Sequence, residues 1–222
     1  IGGIHLTDTT KPTITLSDAQ IVAAQPLLSK IEAADDYTLA LTGNVLTLSH
    51  LDGLMPVASH LAVAGGAVAG VTFKGTALQV QNALGTLESI NAKVGGVVVT
   101  TTEAGTTPVV DGVAELTVTQ EQLWSAGDVL DKITNAPQLT VTQVKAVDAV
   151  DVDATTFSTA QIVSIELSDT AAEIFGDADL LADLEGLSKI GGIHLTDTTK
   201  PTITLSEALI VMAHPWLSHI ET

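Results

Sequence analysis

The strongest constraint on this chain is an internal repeat with a period of 189 residues. Residues 1–17 recur identically as residues 190–206, and 26 of the first 32 positions are the same at that offset. Self-similarity at a fixed period is the signature of repeat architectures. The sequence therefore predicts one complete repeat unit over residues 1–189 and the start of a near-identical unit over residues 190–222. We expect both to belong to a tandem array that is longer than this chain.

Within the long unit a shorter motif recurs, in which a β-branched strand ends in Ser or Thr and an Ala/Leu-rich amphipathic segment follows. Along each strand, apolar residues alternate with Thr, Ser or Glu, which is typical of a strand with one buried face. Strands are predicted at 13–17, 45–49, 70–76, 115–119, 138–142, 164–168 and 202–206. Additional strands with turns are predicted at 4–12, 37–44, 97–108 and 193–201.

The Ser or Thr at each strand end predicts the start of a helix, because its hydroxyl can accept a hydrogen bond from the first helical turn. The expected caps are Ser17, Ser49, Thr76, Thr119, Thr142, Ser168 and Ser206. The helices are expected to end near residues 32, 62, 90, 134, 187 and 221, and the segment after Thr142 is expected to be weakly helical. Acidic or amide residues beside the caps, such as Asp18, Gln120 and Asp169, suit the positive end of a helix dipole.

The spacing of the expected caps sets the fold class. The shortest distances between successive caps are 23, 26 and 27 residues, and the longer ones carry the additional strands. A coil of this length cannot bury its own apolar face, whereas stacked coils cover one another. The sequence therefore predicts an α/β fold: a right-handed α/β solenoid of stacked strand–helix coils, with a parallel sheet on one side and helices on the other.

Composition excludes several classes of protein. The chain has 26 acidic residues against 8 basic ones, all of them lysine, so its formal net charge is −18. Such a surface repels polyanions, which argues against nucleic-acid binding. There is no cysteine, so disulfide scaffolds and thiolate metal sites are excluded. Apolar stretches such as residues 61–71 are too short to predict a membrane span, and no signal peptide is apparent.

Two stretches of this pattern resemble a known group of proteins. IELSDTAAEIFGDADLLADLEGL at 165–187 and GGIHLTDTTKPTITLS at 2–17 resemble the Ala/Thr/Asp-rich strand–helix tandem-repeat arrays of very large bacterial secreted or surface proteins, adhesin-like chains exported by type I systems. The resemblance implies an extracellular or cell-surface location and a structural or adhesive role. It implies no catalytic residues, because such arrays share no active site. The calcium-binding nonapeptide GGxGxDxUx found in many of these proteins does not occur in this chain.

Five aspartates are weak candidates for binding calcium, the one cofactor that the sequence suggests. Asp148, Asp151 and Asp153 offer oxygen ligands but lack the spacing of a calcium loop, so a solvated acidic face is the favoured interpretation. Asp8 and its repeat equivalent Asp197 follow a strand in an expected turn. There an Asx turn is favoured over a cation site.

Histidine and tryptophan give no stronger signal. The six histidines, His5, His50, His60, His194, His214 and His219, have no second ligand at a metal-binding spacing. Trp124 and Trp216 are predicted to fill gaps on the inner faces of helices, with carbohydrate stacking as the alternative. Leu78, Leu84 and Leu87 are expected to share one inner helix face.

The sequence thus favours a structural, non-catalytic extracellular segment: a stalk, filament or sheath component, or the spacer of an adhesin. Its expected partners are neighbouring repeats or head-to-tail copies of itself. The alternative is an adhesive module that binds a glycan or a cell surface. A polysaccharide-active enzyme is less favoured, because paired carboxylates lining a cleft are not apparent and no GxSxG nucleophile elbow occurs.

Overall fold

The computed structural model describes residues 3–31, 36–62, 70–100, 113–135 and 137–205, together with 207, 210 and 217–220. The expected cap Ser206, as well as His214 and Trp216, lies outside the described residues. The chain divides into two compact units, one of residues 1–107 and 128–135 and the other of residues 108–127 and 136–222. The start of the second repeat copy therefore belongs to the same unit as the end of the first.

The described residues of the first unit form two parallel sheets whose strands follow chain order. β1 (Thr13–Leu16) pairs with β2 (Thr38–Leu41) in one sheet. β3 (Val45–Thr47), β4 (Val71–Thr76) and β5 (Val94–Thr100) form the other. The helices are α1 (Asp18–Leu28), α2 (Leu51–Leu54) and α3 (Ala77–Ser89), with short 3-10 turns at 42–44, 48–50, 55–60 and 91–93.

The described residues of the second unit form one four-stranded parallel sheet, again in chain order. Its strands are β6 (Glu115–Thr119), β7 (Gln138–Val144), β8 (Gln161–Asp169) and β9 (Ile190–Leu195). Its helices are α4 (Gln120–Ser125), α6 (Ala149–Ala154), α7 (Ala171–Phe175) and α8 (Ala178–Glu185), and a 3-10 turn spans Ala146–Asp148. Another short helix, α5 (Gly127–Leu130), begins at the last residue of the segment 108–127.

Successive strands pair in parallel at nearly constant separations along the chain. Thr13 pairs with Thr38, 25 residues later, and Glu115 pairs with Gln138, 23 residues later. Parallel neighbours need a crossover connection, and here the intervening helices supply it. The predicted α/β class with parallel sheets is therefore confirmed.

The buried faces of the strands follow the predicted alternation. In β6, β7 and β8 the alternating apolar residues are fully buried, and the polar residues between them are mostly half-exposed. The residues with 0% exposure on these strands include Leu116, Val118, Leu139, Val141, Ile165 and Leu167. Small β-branched and leucine side chains thus supply the core, as expected for a chain with only 3% aromatic residues.

Among the helices that the structure describes, four begin with a capping box, in which the cap hydroxyl accepts from a backbone N–H and a Gln or Glu side chain accepts in return. The caps are Ser17, Thr76, Thr119 and Thr170. Three of these were expected. The expectation for Ser168 is wrong by two residues, because β8 continues to Asp169.

Two further expected caps are wrong. Ser49 lies inside the 3-10 turn 48–50 and not before it. Thr142 lies within β7, where its hydroxyl donates to the Val118 carbonyl at 3.4 Å. At Ser49 the 3-10 turn has already begun, and at Thr142 the strand continues. Neither hydroxyl therefore lies just before the first turn of a helix.

Several helices are shorter than the periodicity predicts. α3 ends at Ser89, close to the expected position. The segments expected to run to residues 134 and 187 instead split into α4 and α5, and into α7 and α8. The second split has a local cause: Asp177 starts a new helix by accepting hydrogen bonds from Asp179 N and Leu180 N.

The additional strands are confirmed in part. β2 occupies 38–41 and ends in a turn where Gly43 and Asn44 have positive φ angles of 73° and 53°, a conformation that glycine and asparagine tolerate best. β5 covers the start of 97–108, but residues 101–108 lie outside the described residues. The strand expected at 202–206 is wrong for residues 202–205, which are irregular.

Candidate functional site

Side chains at the strand ends connect each coil to its neighbour, and these contacts form the candidate site. By a coil we mean one strand, or two successive strands joined by a turn such as β2 and β3, with the helix or 3-10 turn that follows. Asp169, the last residue of β8, is only 3% exposed. Its Oδ2 accepts from Ala146 N at 3.2 Å, and its Oδ1 accepts from Thr170 N at 3.1 Å. Because Ala146 begins the 3-10 turn of the preceding coil, Asp169 caps a helix start that is not its own.

The charge state of Asp169 follows from these contacts. Burial acts to raise its pKa, but the N–H groups of Ala146 and Thr170, which donate to the carboxylate, and the charge of Lys145 outweigh burial. The pKa therefore lies below that of a free aspartate. A hydrogen-bonded carboxylate of this kind stays ionised inside the fold.

Asp197 makes the equivalent contact one coil later. Its Oδ2 accepts from Ala171 N, the first N–H of α7, at 2.8 Å. The loop between β9 and residue 205 is thereby attached to the helix of the coil before it. The sequence offered an Asx turn or a cation site at Asp197, and neither interpretation includes this hydrogen bond between coils.

In the first unit Asp18 bridges in the opposite direction, to the following coil. Its carboxylate accepts from Thr47 N at 3.3 Å, from the Thr47 hydroxyl at 2.6 Å and contacts His50 Nδ1 at 2.8 Å. Burial acts to raise the pKa of Asp18, but the hydrogen bonds from Thr47 and His50 and the charge of His50 lower it below that of a free aspartate.

Amide side chains serve the same purpose elsewhere. Gln120, which is 7% exposed, accepts from Lys145 N at 2.8 Å and donates to Asp148 Oδ2 at 2.7 Å. Asn135 accepts from Val99 N at 3.0 Å and donates to the Val99 carbonyl at 2.6 Å. Its amide thus satisfies the backbone of β5 as a neighbouring strand would.

The expectation that Asp18, Gln120 and Asp169 serve the dipole of their own helix misses their main role. Each one bonds to a residue 23 to 32 positions away in an adjacent coil. The signal was present in the sequence as an acidic or amide residue beside each strand end. Nothing in the local sequence, however, indicates that these side chains reach an adjacent coil.

The candidate calcium ligands are dispersed. Asp148 binds Gln120, and Asp153 forms an ion pair with Lys189 at 3.0 Å, whereas Asp151 is exposed. Asp197 bonds to α7 and Asp8 is exposed. In the part of the chain that the structure describes, no three His, Asp or Glu side chains converge on one point. Calcium binding by these five residues stays a prediction.

The described histidines have separate neighbours. His60 stacks on Tyr37 with ring centroids 3.9 Å apart, and His50 contacts Asp18. His219 Nδ1 lies 3.1 Å from the Gly191 carbonyl oxygen. His5 and His194 are exposed on equivalent segments.

Two apolar side chains predicted to face inward do not. Trp124 is 54% exposed on α4, so the prediction that it fills an inner gap is wrong. Leu78 is 59% exposed on α3, whereas Leu84 and Leu87 are fully buried as expected. Leu78 is the second residue of α3 and Trp124 is the fifth residue of α4, so helical spacing alone did not identify the buried face at either place.

The two copies of the repeat make the same backbone contact. Ile4 forms a parallel bridge with Ile31, and its equivalent Ile193 forms one with Ile220. The hydrogen bonds have the same length, 2.8 Å from Ile4 N to the Lys30 carbonyl and 2.8 Å from Ile193 N to the His219 carbonyl. The backbone contact of Ile4 is thus reproduced at Ile193, although residues 13–16 form β1 and their equivalents 202–205 are irregular.

The copies differ in what covers them. Ile193 lies beside β8 and is 0% exposed, whereas Ile4 is half-buried. Gly192 is buried and Gly3 is exposed. Further along the repeat it is the first copy that is more buried. Ile21 is 0% exposed against 48% for Ile210, and Leu28 is 7% exposed against 36% for Leu217.

Each copy therefore exposes on one face what a neighbouring coil buries in the other copy.

Comparison with protein-family models, curated proteins and solved structures gives no match. Among the described residues, no helix is long and apolar enough to cross a bilayer.

Proposed function

We propose that this chain is a structural, non-catalytic segment of an extracellular tandem-repeat protein, in which successive coils stack as a right-handed α/β solenoid. Such a segment acts as a stalk, a filament or sheath component, or the spacer of an adhesin. The cell-surface location follows from the resemblance to repeat arrays of large secreted proteins.

The observation that carries the proposal is the difference in exposure between the two copies. The same isoleucine is fully buried at position 21 and 48% exposed at position 210. A globular protein with a single core has no reason to keep a second copy of a buried surface at its boundary. A repeat array does, because each exposed face is covered by the next unit.

The polar contacts between coils support the same role. Asp18, Gln120 and Asp169 each satisfy backbone groups of a neighbouring coil, so they link coils in addition to the buried apolar side chains of the core. A fold held by nearest-neighbour contacts can grow in length without changing its cross-section. Its net charge of −18 keeps such a thread soluble, and divalent cations would screen repulsion between threads.

Chains lengthened by one and by two further 189-residue units test the proposal. We expect small-angle X-ray scattering to show a maximum dimension that rises linearly with the number of units at a constant cross-section. A dimension that grows only as the cube root of the mass would contradict the proposal, because added units would then collapse onto one another.

A glycan-binding adhesive role is the second candidate, and one observation favours it. Trp124 presents 54% of its surface to solvent, and an exposed indole ring can stack on a sugar ring. Binding of the wild-type chain to immobilised glycans, lost in Trp124→Ala and kept in Leu78→Ala, would support this role. Leu78 is the matched control because it is also a large apolar side chain exposed on a helix.

A further inference from the structure

The sheet edge of β8 is occupied by a segment whose sequence occurs twice in the chain. β9 pairs with β8 in parallel, with Ile193 opposite Leu167 and His194 opposite Ser168. Asp197 adds the hydrogen bond to the first N–H of α7. All of these β9-side residues lie within 190–206, which is identical to residues 1–17. The edge of β8 therefore cannot distinguish the two copies by the residues that contact it.

The first copy is accessible for the same contact. Gly3 and Asp8 are exposed and Ile4 is half-buried, whereas Gly192 and Ile193 are buried and Asp197 is half-buried. The difference marks the surface that β8 and α7 cover on the second copy. The corresponding residues of the first copy, Gly3, Ile4 and Asp8, are each more exposed than their equivalents in the second copy.

The apolar side chains that follow the strand TITL are also less exposed in the first copy than in the second. Its own next coil buries Ile21 and Leu28 to 0% and 7% exposure, while Ile210 and Leu217 in the second copy remain 48% and 36% exposed. A first copy that docks on β8 therefore exposes fewer of these apolar side chains to solvent than the second copy does. The resident copy keeps its place mainly because it is tethered, which gives it a high effective concentration.

From these observations we infer that the β8 edge and the start of α7 form a docking site for residues 1–8 of a second copy of this chain, in the register of β9. Exchange of the resident segment for that of another molecule joins molecules head to tail. Because donor and acceptor are different surfaces, the contact is heterologous and gives open chains of molecules. This inference rests on the proposed stacking of repeat copies.

Repeat-matched substitutions test the exchange. Ile193→Asp places a charge at a fully buried position and releases the resident segment, while Ile4→Asp damages only the incoming one. We expect Ile193→Asp to form concentration-dependent oligomers in analytical ultracentrifugation and the Ile4→Asp/Ile193→Asp double variant to remain monomeric. A folded, monomeric Ile193→Asp chain, or oligomers that persist in the double variant, would overturn the inference.

A second measurement uses the chain with both copies intact. Because the chain has no cysteine, Ser168→Cys in one population and His5→Cys in another report the expected register through a short thiol cross-linker. We expect a cross-linked dimer whose yield rises with concentration and falls at least about tenfold when the His5→Cys chain also carries Ile4→Asp. The intramolecular pair Ser168→Cys/His194→Cys is the positive control, because these residues are register partners.

A yield that does not respond to Ile4→Asp would overturn the inference, since the cross-link would then report random collision. Failure here is distinguishable from failure of the proposed function. Rod-like growth of the lengthened chains without any exchange between molecules would remove only the docking of a second copy.

Discussion

A carboxylate buried at a strand end is the residue-scale device that holds neighbouring coils together. Asp169 is 3% exposed and accepts from two backbone N–H groups, one in its own coil and one in the coil before. Its ion pair with Lys145 is a minor part of this site, because the N–O distance is 3.5 Å and the Lys145 side chain is 56% exposed. The hydrogen bonds to the backbone should therefore dominate its contribution.

Replacement of Asp169 by alanine should be costly. It leaves two backbone donors unsatisfied, one of them in a buried contact, so the free energy of unfolding should fall by about 2–4 kcal/mol. Lys145→Ala is the matched control and should cost less than about 1 kcal/mol, because exposed ion pairs contribute little. Urea denaturation followed by circular dichroism measures both, and equal costs for the two variants would refute this assignment.

Acid should weaken the contacts between coils. The pKa values of Asp18 and Asp169 are below that of a free aspartate, so both groups bind protons more weakly in the folded chain than in the unfolded one. Their stabilisation is complete above about pH 4 and is lost as the pH falls through the folded pKa values.

The Asp18→Asn/Asp169→Asn variant should therefore differ most from wild type near neutral pH. Unfolding free energies measured from pH 7 down to pH 2.5 should converge as the carboxylates of the wild-type chain become protonated. A difference in unfolding free energy that stays constant over the whole pH range would show that the negative charges of the two carboxylates do not contribute to stability.

At the scale of the element, a strand end starts a helix only where the backbone turns at the hydroxyl residue. Thr119 does so: its side chain accepts from Gln122 N at 3.1 Å and Gln122 Oε1 accepts from Thr119 N at 3.0 Å. Thr142 stands at the same place in its motif, yet β7 runs two residues beyond it.

This pair gives a matched test of capping. Thr119→Ala removes a helix cap and should lower the free energy of unfolding by about 1 kcal/mol. Thr142→Ala removes a hydroxyl that makes a single 3.4 Å hydrogen bond and should cost less than about 0.5 kcal/mol. Thermal or urea unfolding compares the two, and a larger cost at Thr142 would contradict the observed helix start.

Elements could be predicted where a local pattern decides them. The alternation of β6, β7 and β8, the capping boxes at Ser17, Thr76 and Thr119, and the turn at Gly43 all depend on near neighbours in sequence. The direction of side chains between coils could not be predicted, because Asp18 and Asp169 look alike in the sequence but reach opposite neighbours. The prediction that Trp124 faces inward is wrong for a related reason, since helical spacing does not reveal which face of a helix another coil covers.

At the scale of the whole molecule, the copies show that covering by a neighbour, and not the local sequence, decides which residues are core. Ile21 and Ile210 occupy equivalent positions of the repeat, with 0% and 48% exposure. In a one-dimensional array the stability of a unit is the sum of its own terms and those of its two interfaces. The same substitution should therefore have different effects at the two positions.

Ile21→Ala creates a cavity and should lower the free energy of unfolding of this chain by roughly 2–4 kcal/mol. Ile210→Ala should cost less than about 1 kcal/mol, because the side chain is half in solvent already. In a chain that continues after Thr222 with residues 34–189 of the repeat, the second position acquires the coil that buries Ile21, and the two costs should become equal. Hydrogen exchange at the amides of 18–28 and 207–217 follows each site separately. If Ile210→Ala remains inexpensive in the lengthened chain, the added coil has not docked there, and stacking by nearest neighbours would have to be abandoned.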